Sequence, residues 1–338
     1  MKLDIIMPHY KEKWEIGRKF FQMLDLQRGI DFSDFRVIIV NDGEERHLPD
    51  ELFANRAYAV VQHDIPHGGV SAARNAGLKA SDAEWVMFCD FDDMFTNVYA
   101  LRDILNVVPT NDFDMLWAEI ISEDVLKTGE MVLHPRHENV VFIHGKLYRR
   151  QFLIDNDLTF DETLDFNEDS AFNAIMTTVV NFKRTGKILT PAPLYSWCYT
   201  PGSATTTPGN RGRALLGLWH RNRAVCEAFR KRMPYARYCS MVARTVWDTY
   251  HCLNVDIDEL PDELKQIRAE FREWFPKHKA LYEDCEPEWL EKVIAISRAE
   301  HDRGDIEENE RWAVGDVAKL RDDVSIEDWL KEIEEGEE

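Results

Sequence analysis

Between Trp85 and Asp93 the chain reads Trp-Val-Met-Phe-Cys-Asp-Phe-Asp-Asp, an uncharged run that ends in three carboxylates within four positions. A run this apolar crosses a core as a strand buried on both faces, as parallel strands are. Its aspartates then emerge together at the strand's carboxyl end, where open α/β sheets bind ligands. Two carboxylates one residue apart at such a rim can share a hard divalent cation, finished by water and phosphate oxygens.

The residues upstream supply the rest of a sheet. Leu3 to Met7 is a short apolar run closed by Pro8-His9-Tyr10, a strand and then a loop that proline keeps out of helix. Trp14, Ile16, Phe20, Met23 and Leu24 recur at near-helical spacing up to Gly29. Phe35 to Val40 is a second strand, turned by Asn41-Asp42-Gly43, and Tyr58 to Val61 a third. This alternation predicts a parallel, Rossmann-like sheet with helices on both faces. Val70 to Ala80 is expected as a helix opened by Gly68-Gly69 and capped by Ser71, its free N–H groups and dipole facing an anion. Tyr99 to Val108 reads as a helix and Met115 to Ile121 as a strand.

Lys127 to Val141 reads as a hairpin or irregular excursion around Gly129. His134, His137 and His144 lie close in sequence there, but their spacing matches no known metal site, so they are read as loop or solvated residues. Glu168 and Asp169 open a helix that continues to Val180, either as caps or as a base and its neighbour. Tyr195, Trp197 and Tyr199 alternate, as a core face or as a platform for a sugar ring. The turn-rich loop from Pro201 to Gly209 is a boundary or a lid, which gives a first domain at 1–208 and a second at 209–338. From Arg211 onward only helices are expected, amphipathic ones that must bury a face against the first domain, another subunit or another protein.

The formal charge of -21 over 338 residues excludes broad electrostatic capture of nucleic acid or anionic lipid, both of which need a basic face. Residues 301–338 carry 15 acids against five Lys and Arg, as a solvated face or frayed end does. The six cysteines are scattered, so neither a zinc site nor a disulfide framework is indicated. No apolar run approaches the roughly 18 residues of a membrane span, and a signal-peptide pattern is lacking at the amino terminus. The expected compartment is the cytoplasm.

Five pieces in order, Pro8-His9-Tyr10, Asn41-Asp42-Gly43, Gly69 to Gly77, Asp90-Phe91-Asp92-Asp93 and Glu168-Asp169, resemble the inverting glycosyltransferases of family two over about residues 1 to 205. The resemblance implies the GT-A fold, a nucleotide sugar donor, usually a uridine diphosphate sugar, manganese or magnesium at the D-x-D, and a glycan or other hydroxyl acceptor. Carried over, Pro8, Tyr10 and Asp42 would line the nucleoside pocket, and Arg74 and Asn75 would contact the donor. Asp92, with Asp90, would ligate the metal, and Asp90 would also hold ribose or sugar. Asp169 would be the catalytic base and Glu168 its neighbour. Lys146, Tyr148 and Arg149 match a segment often seen between the D-x-D and the base. The chain departs from the pattern at Asn41, where Asp is usual, and at Lys11, where Asn is usual. No histidine lies between His144 and His220 to complete a metal shell. The competing classes are a sugar-phosphate nucleotidyltransferase, whose basic glycine-rich first loop is missing from Pro8 to Lys11, and a non-catalytic glycan-binding or scaffold protein.

Overall fold

The computed structural model describes residues 1–108, 113–126, 128–136, 142–183, 186–188, 193–203, 211–254, 262–292, 295 and 325–335. Residues 204–210, His137 and most of the acidic tail lie outside them. The chain divides into two compact units, residues 1–124 with 131–200, and residues 125–130 with 201–338.

The first unit is built on seven strands: β1 (Leu3–His9), β2 (Phe35–Asp42), β3 (Ala59–Ile65), β4 (Trp85–Phe88), β6 (Met115–Trp117), β9 (Lys146–Arg149) and β10 (Gly186–Ile188). Their order is β10-β6-β9-β4-β1-β2-β3. β1 runs parallel to β2 and β4, with His9 opposite Asn41 and Ile6 opposite Phe88. The loops after all three therefore leave the same edge, which brings Pro8-His9-Tyr10, Asn41-Asp42 and Asp90 to Asp93 to one rim. The parallel pairing expected from the sequence holds for β1, β2, β3 and β4, while β9 runs antiparallel between β4 and β6. At four residues with two cationic side chains, β9 carries too little apolar pattern to be read as a central strand.

Leu3, Ile5, Met7, Val37, Ile39, Trp85 and Met87 form the core together with Phe20, Phe21 and Leu24 of helix α1 (Trp14–Asp25). Asp4 of β1, which alternates with Leu3 and Ile5, is also fully buried. Arg36 grips it through two bonds, Nε at 2.7 Å and Nη2 at 3.0 Å, and Ser81 Oγ adds a third at 2.7 Å, which supplies the partners a buried charge requires. Helix α2 (Gly69–Ala80) lies on β1 and β2. It approaches so closely that a Cβ on Gly77 would overlap Ile6 Cγ2.

A second sheet, ordered β5-β11-β7-β8, comprises β5 (Met94–Phe95), β7 (Ile120–Val125), β8 (Met131–Arg136) and β11 (Tyr195–Trp197). β7 and β8 are the hairpin expected around Gly129, which takes φ +83°. The remaining helices of this unit are α3 (Ala100–Val107), α4 (Arg150–Asp155) and α5 (Glu168–Lys183). α5 starts at the two acids, as expected.

The second unit holds α6 (Arg211–Arg232), α7 (Tyr235–Leu253), α8 (Asp262–Trp274), α9 (Lys279–Glu283) and a last helix at Ile326–Glu335. Trp219, Val246, Trp247, Tyr250, Ile267, Phe271 and Trp329 form its core. Ser325 accepts from the Asp328 N–H at 3.1 Å and so caps that helix. Among the described residues no strand occurs from Arg211 onward, and no helix is long and apolar enough to cross a membrane.

Candidate active site

The rim begins with Asp42, at the end of β2. The residue is 3% exposed, and its carboxylate accepts from Gly68 N at 2.7 Å, Gly69 N at 3.0 Å and His67 Nδ1 at 2.8 Å. Ser71, expected as the cap of α2, lies inside the helix instead, because Asp42 takes the first amides from across the sheet. Those amides are therefore not free for an anion. The Tyr10 ring stacks on His67 at 4.3 Å, and Pro8 is half-buried beside His9. Asn41, in the place of the usual Asp, donates to Asp64 at 2.7 Å and lies 2.9 Å from His9 Nδ1 through its oxygen. An amide can serve both neighbours where a carboxylate has no proton to give.

Asp90 is the centre of the site. Arg74 Nη2 donates to its Oδ1 at 3.0 Å, and His144 Nε2 lies 3.1 Å from its Oδ2. The other Arg74 terminal nitrogen donates to Glu168 Oε1 at 2.7 Å. Arg74 thus joins the D-x-D to the start of α5. Burial pushes the Asp90 carboxyl up, but Arg74 and His144 outweigh it and hold it below the usual carboxylate range. Burial raises Glu168 against the opposing pull of Arg74. Asp169 lies beside Glu168, half-buried, and accepts from Ser170 N at 2.6 Å. Its charge acts on Arg74, His144, Lys146 and Tyr148, of which Arg74 and His144 contact Asp90.

His144 lies in the loop before β9, as the sequence reading has it, but it is buried rather than solvated. It is 4% exposed and its ring is stacked on Tyr195 and on Trp197. Gly145 makes this position possible: it takes φ +68°, and a Cβ there would meet Ile120 Cγ2 at 2.6 Å. Lys146, also buried, donates from its ammonium to the Phe142 carbonyl, which closes the short loop carrying His144. Burial lowers Lys146 to about 7. Asp93 completes the group. It is fully buried, accepts from the Tyr195 hydroxyl at 2.7 Å and Cys198 N at 2.8 Å, and lies 3.5 Å from His144 Nε2.

Among the described residues Asp90, Asp93 and His144 are the one group whose ligand atoms all lie within 4.8 Å of one another. Two carboxylates and an imidazole suit a divalent cation of the manganese type. Asp92, expected as the metal ligand with Asp90, stands outside this trio. It is half-buried, bonded to Thr200 and raised by burial. Asn75, expected at the donor, bonds Phe160 and Glu162. Arg149, from the segment after His144, braces the sheet through Glu84 at 2.7 Å and the Phe113 carbonyl at 2.9 Å. Tyr148 donates to Asn173 of α5 at 2.6 Å. Sequence reasoning missed His144, Asp93 and His67 as site members. The available signal for His144 was a histidine directly before the Gly145-Lys146-Leu147-Tyr148 segment.

Residues 4–166 match the sequence family described as Glycosyl transferase family 2. A relative from Bacillus subtilis, "Uncharacterized glycosyltransferase EpsJ", is 26% identical over 198 residues, covering 52% of this chain and 56% of the relative. The Staphylococcus aureus "Poly(ribitol-phosphate) beta-N-acetylglucosaminyltransferase TarS" is 25% identical over 210 residues, covering 58% of this chain and 35% of TarS. The chain thus spans about half or less of the length of these relatives. The crystal structure of S. aureus TarS 1-349 in complex with UDP-GlcNAc superposes with a TM-score of 0.51 at 16% identity, covering 96% of this chain and 98% of that one. The architecture is the GT-A fold with a helical C-terminal region.

Proposed function

We propose, because residues 4–166 match the family described as Glycosyl transferase family 2, that the chain transfers a hexose from a uridine diphosphate sugar to a hydroxyl acceptor in a single inverting displacement. The observation that carries this reading is the Arg74 bridge, which ties Asp90 of the D-x-D to Glu168 and so sets Asp169 beside the same rim. A donor lying between the two acidic groups meets the metal trio on its diphosphate side and a carboxylate on the other.

Pro8, Tyr10 and Asp42 form the nucleoside end of the rim. The stacked pair of Tyr10 and His67 offers an aromatic surface to a base. Asp42 shapes that end by fixing the Gly68-Gly69 turn. When bound, manganese or magnesium held by Asp90, Asp93 and His144 would neutralise charge on the leaving diphosphate. Asp169 takes the proton of the acceptor hydroxyl as its oxygen bonds the anomeric carbon and the bond to the diphosphate breaks. Such proton transfer contributes on the order of 10²- to 10⁴-fold. Glu168, held by Arg74, orients the sugar side of the site.

Relatives named for transfer to poly(ribitol-phosphate) suggest a polyol or glycan hydroxyl as acceptor. The net charge of -21 weighs against a long polyanion. Six buried free cysteines fit a reducing cytoplasm. The test is release of uridine diphosphate from a panel of donors, with and without Mn²⁺, against glycan and polyol acceptors. Pyrophosphate as product, or no turnover with any donor, would refute the reading.

A further inference from the structure

We infer that Asn75 is a positioning residue for the loop that delivers the catalytic base, and that it does not contact the donor. The inference rests on the reading of Asp169 as that base. Asn75 Oδ1 accepts from Phe160 N at 2.9 Å, and its Nδ2 donates both to Phe160 O at 2.9 Å and to Glu162 Oε1 at 2.9 Å. The amide thus pairs with the Phe160 backbone as a neighbouring strand would. Both of its protons are spent, and one lone pair of its oxygen is taken. A donor phosphate seeking this side chain would have to break a bond already made.

The grip has leverage because of what lies at its two ends. Asn75 sits on α2, which is seated on the sheet through Gly77. Phe160 carries the hold onward: its ring stacks on Phe172 of α5 at 4.2 Å, close to one turn beyond Asp169, and the Arg74 guanidinium lies 5.3 Å from the same ring. At the far end of the loop, Asn167 takes φ +61° immediately before Glu168. That left-handed conformation turns the chain into α5 and is costly for most side chains. The loop is therefore pinned near its start by Asn75 and bent at its end by Asn167. Adjacent residues of one helix divide the work, with Arg74 holding the Glu168 side chain and Asn75 holding the backbone that precedes it.

The experiment compares the full chain with Asn75→Ala and Asn75→Asp. Asn75→Asp keeps an acceptor for Phe160 N but loses both donors and faces Glu162, so it probes the grip with little change of size. Amide hydrogen exchange and uridine diphosphate binding by calorimetry are read first. Expected in Asn75→Ala are faster exchange at the Phe160 amide with β1 and β2 unaltered, and a uridine diphosphate Kd unchanged. Transfer is then expected to lose kcat by roughly ten- to a hundredfold, the scale on which small misplacements of a catalytic group act, with KM for donor unchanged. A weakened nucleotide Kd with kcat retained would make Asn75 a donor contact and overturn the inference. Continued protection of Phe160 in Asn75→Ala would overturn it as well. If the wild-type chain transfers no sugar, the proposed function fails by itself, while exchange at Phe160 still decides whether Asn75 holds the loop.

Discussion

Arg74 donates to Glu168, 94 positions further along the chain, at 2.7 Å, while its second terminal nitrogen reaches Asp90 at 3.0 Å. The guanidinium is 4% exposed, against 13% for Glu168 and 31% for Asp90. Its planar fork suits two carboxylates on different sides, which a single ammonium on a lysine cannot span equally well. Arg74→Met leaves two carboxylates facing each other. It is expected to cost near the lower end of the roughly 3–5 kcal/mol seen when one partner of a buried pair is removed, because Asp90 keeps some water. Arg74→Lys is expected to fall between. Urea denaturation of the three proteins measures this, and equal midpoints for wild type and Arg74→Met would contradict it.

Asp169→Asn removes the proton acceptor and keeps the shape. Transfer is expected to fall by about 10²- to 10⁴-fold, the usual contribution of a general base, with nucleotide binding intact. Calorimetry for the nucleotide and a transfer assay for the product separate the two effects. Full activity in Asp169→Asn would assign the base elsewhere.

His144→Phe keeps a ring between Tyr195 and Trp197 and deletes the nitrogen that faces Asp90 and Asp93. Losing an inner ligand is expected to weaken Mn²⁺ binding by at least the roughly 10- to 100-fold that outer partners of a metal site cost. Electron paramagnetic resonance titration of the protein with Mn²⁺ reads this without turnover. Unchanged affinity would remove His144 from the metal set.

His47 supplies a pH dependence away from that centre. Its Nδ1 lies 2.9 Å from Asp64 and its Nε2 lies 3.3 Å from Asp50. The bond to Asp64, opposed by desolvation and helped by Asp50, raises the imidazole above its ordinary 6.5. Folding therefore favours the charged ring. Its contribution is complete below the unfolded value and is lost as pH rises through the higher folded value. Asp64→Asn is expected to return the His47 titration toward 6.5, followed by its ring resonances in NMR. A curve unmoved by the substitution would show that Asp64 does not set it.

Gly77→Ala tests the seat of α2. Alanine gains about 1 kcal/mol of helix propensity over glycine, but its methyl would overlap Ile6 and press on Val40. Overpacking of this kind costs typically 1–3 kcal/mol, so a net loss is expected. Thermal unfolding decides the sign, and a higher Tm would mean that the helix has room to move out.

The rim was legible because its parts are local. Trp85 to Asp93, Leu3 to Tyr10 and Phe35 to Gly43 each carry an apolar run and its polar ending within ten residues, so each strand and its loop could be read together. Glu168 and Asp169 announced a helix start for the same reason. His144 and Asp93 were not legible as partners, because what joins them is a fold-level event, the entry of β9 beside β4, and no spacing between positions 93 and 144 encodes it. Ser71 misled because a serine near a helix start is a common cap, while the actual acceptor, Asp42, comes from another strand. Asn75 looked like a donor contact for the opposite reason: its place in a motif is visible, and its bonds to Phe160 and Glu162, 85 and 87 positions away, are not.

The antiparallel seating of β9 between β4 and β6 bears on how the chain is made. Synthesis yields β1, β2, β3, β4 and β6 first, and at that stage β4 and β6 have no strand joining them. Each exposes a backbone edge of the kind that pairs promiscuously with other chains. A nascent polypeptide that stops short of residue 146 therefore leaves the facing edges of β4 and β6 open, and emergence of the Lys146 to Arg149 segment covers both in one step, while the far edge of β6 waits for β10.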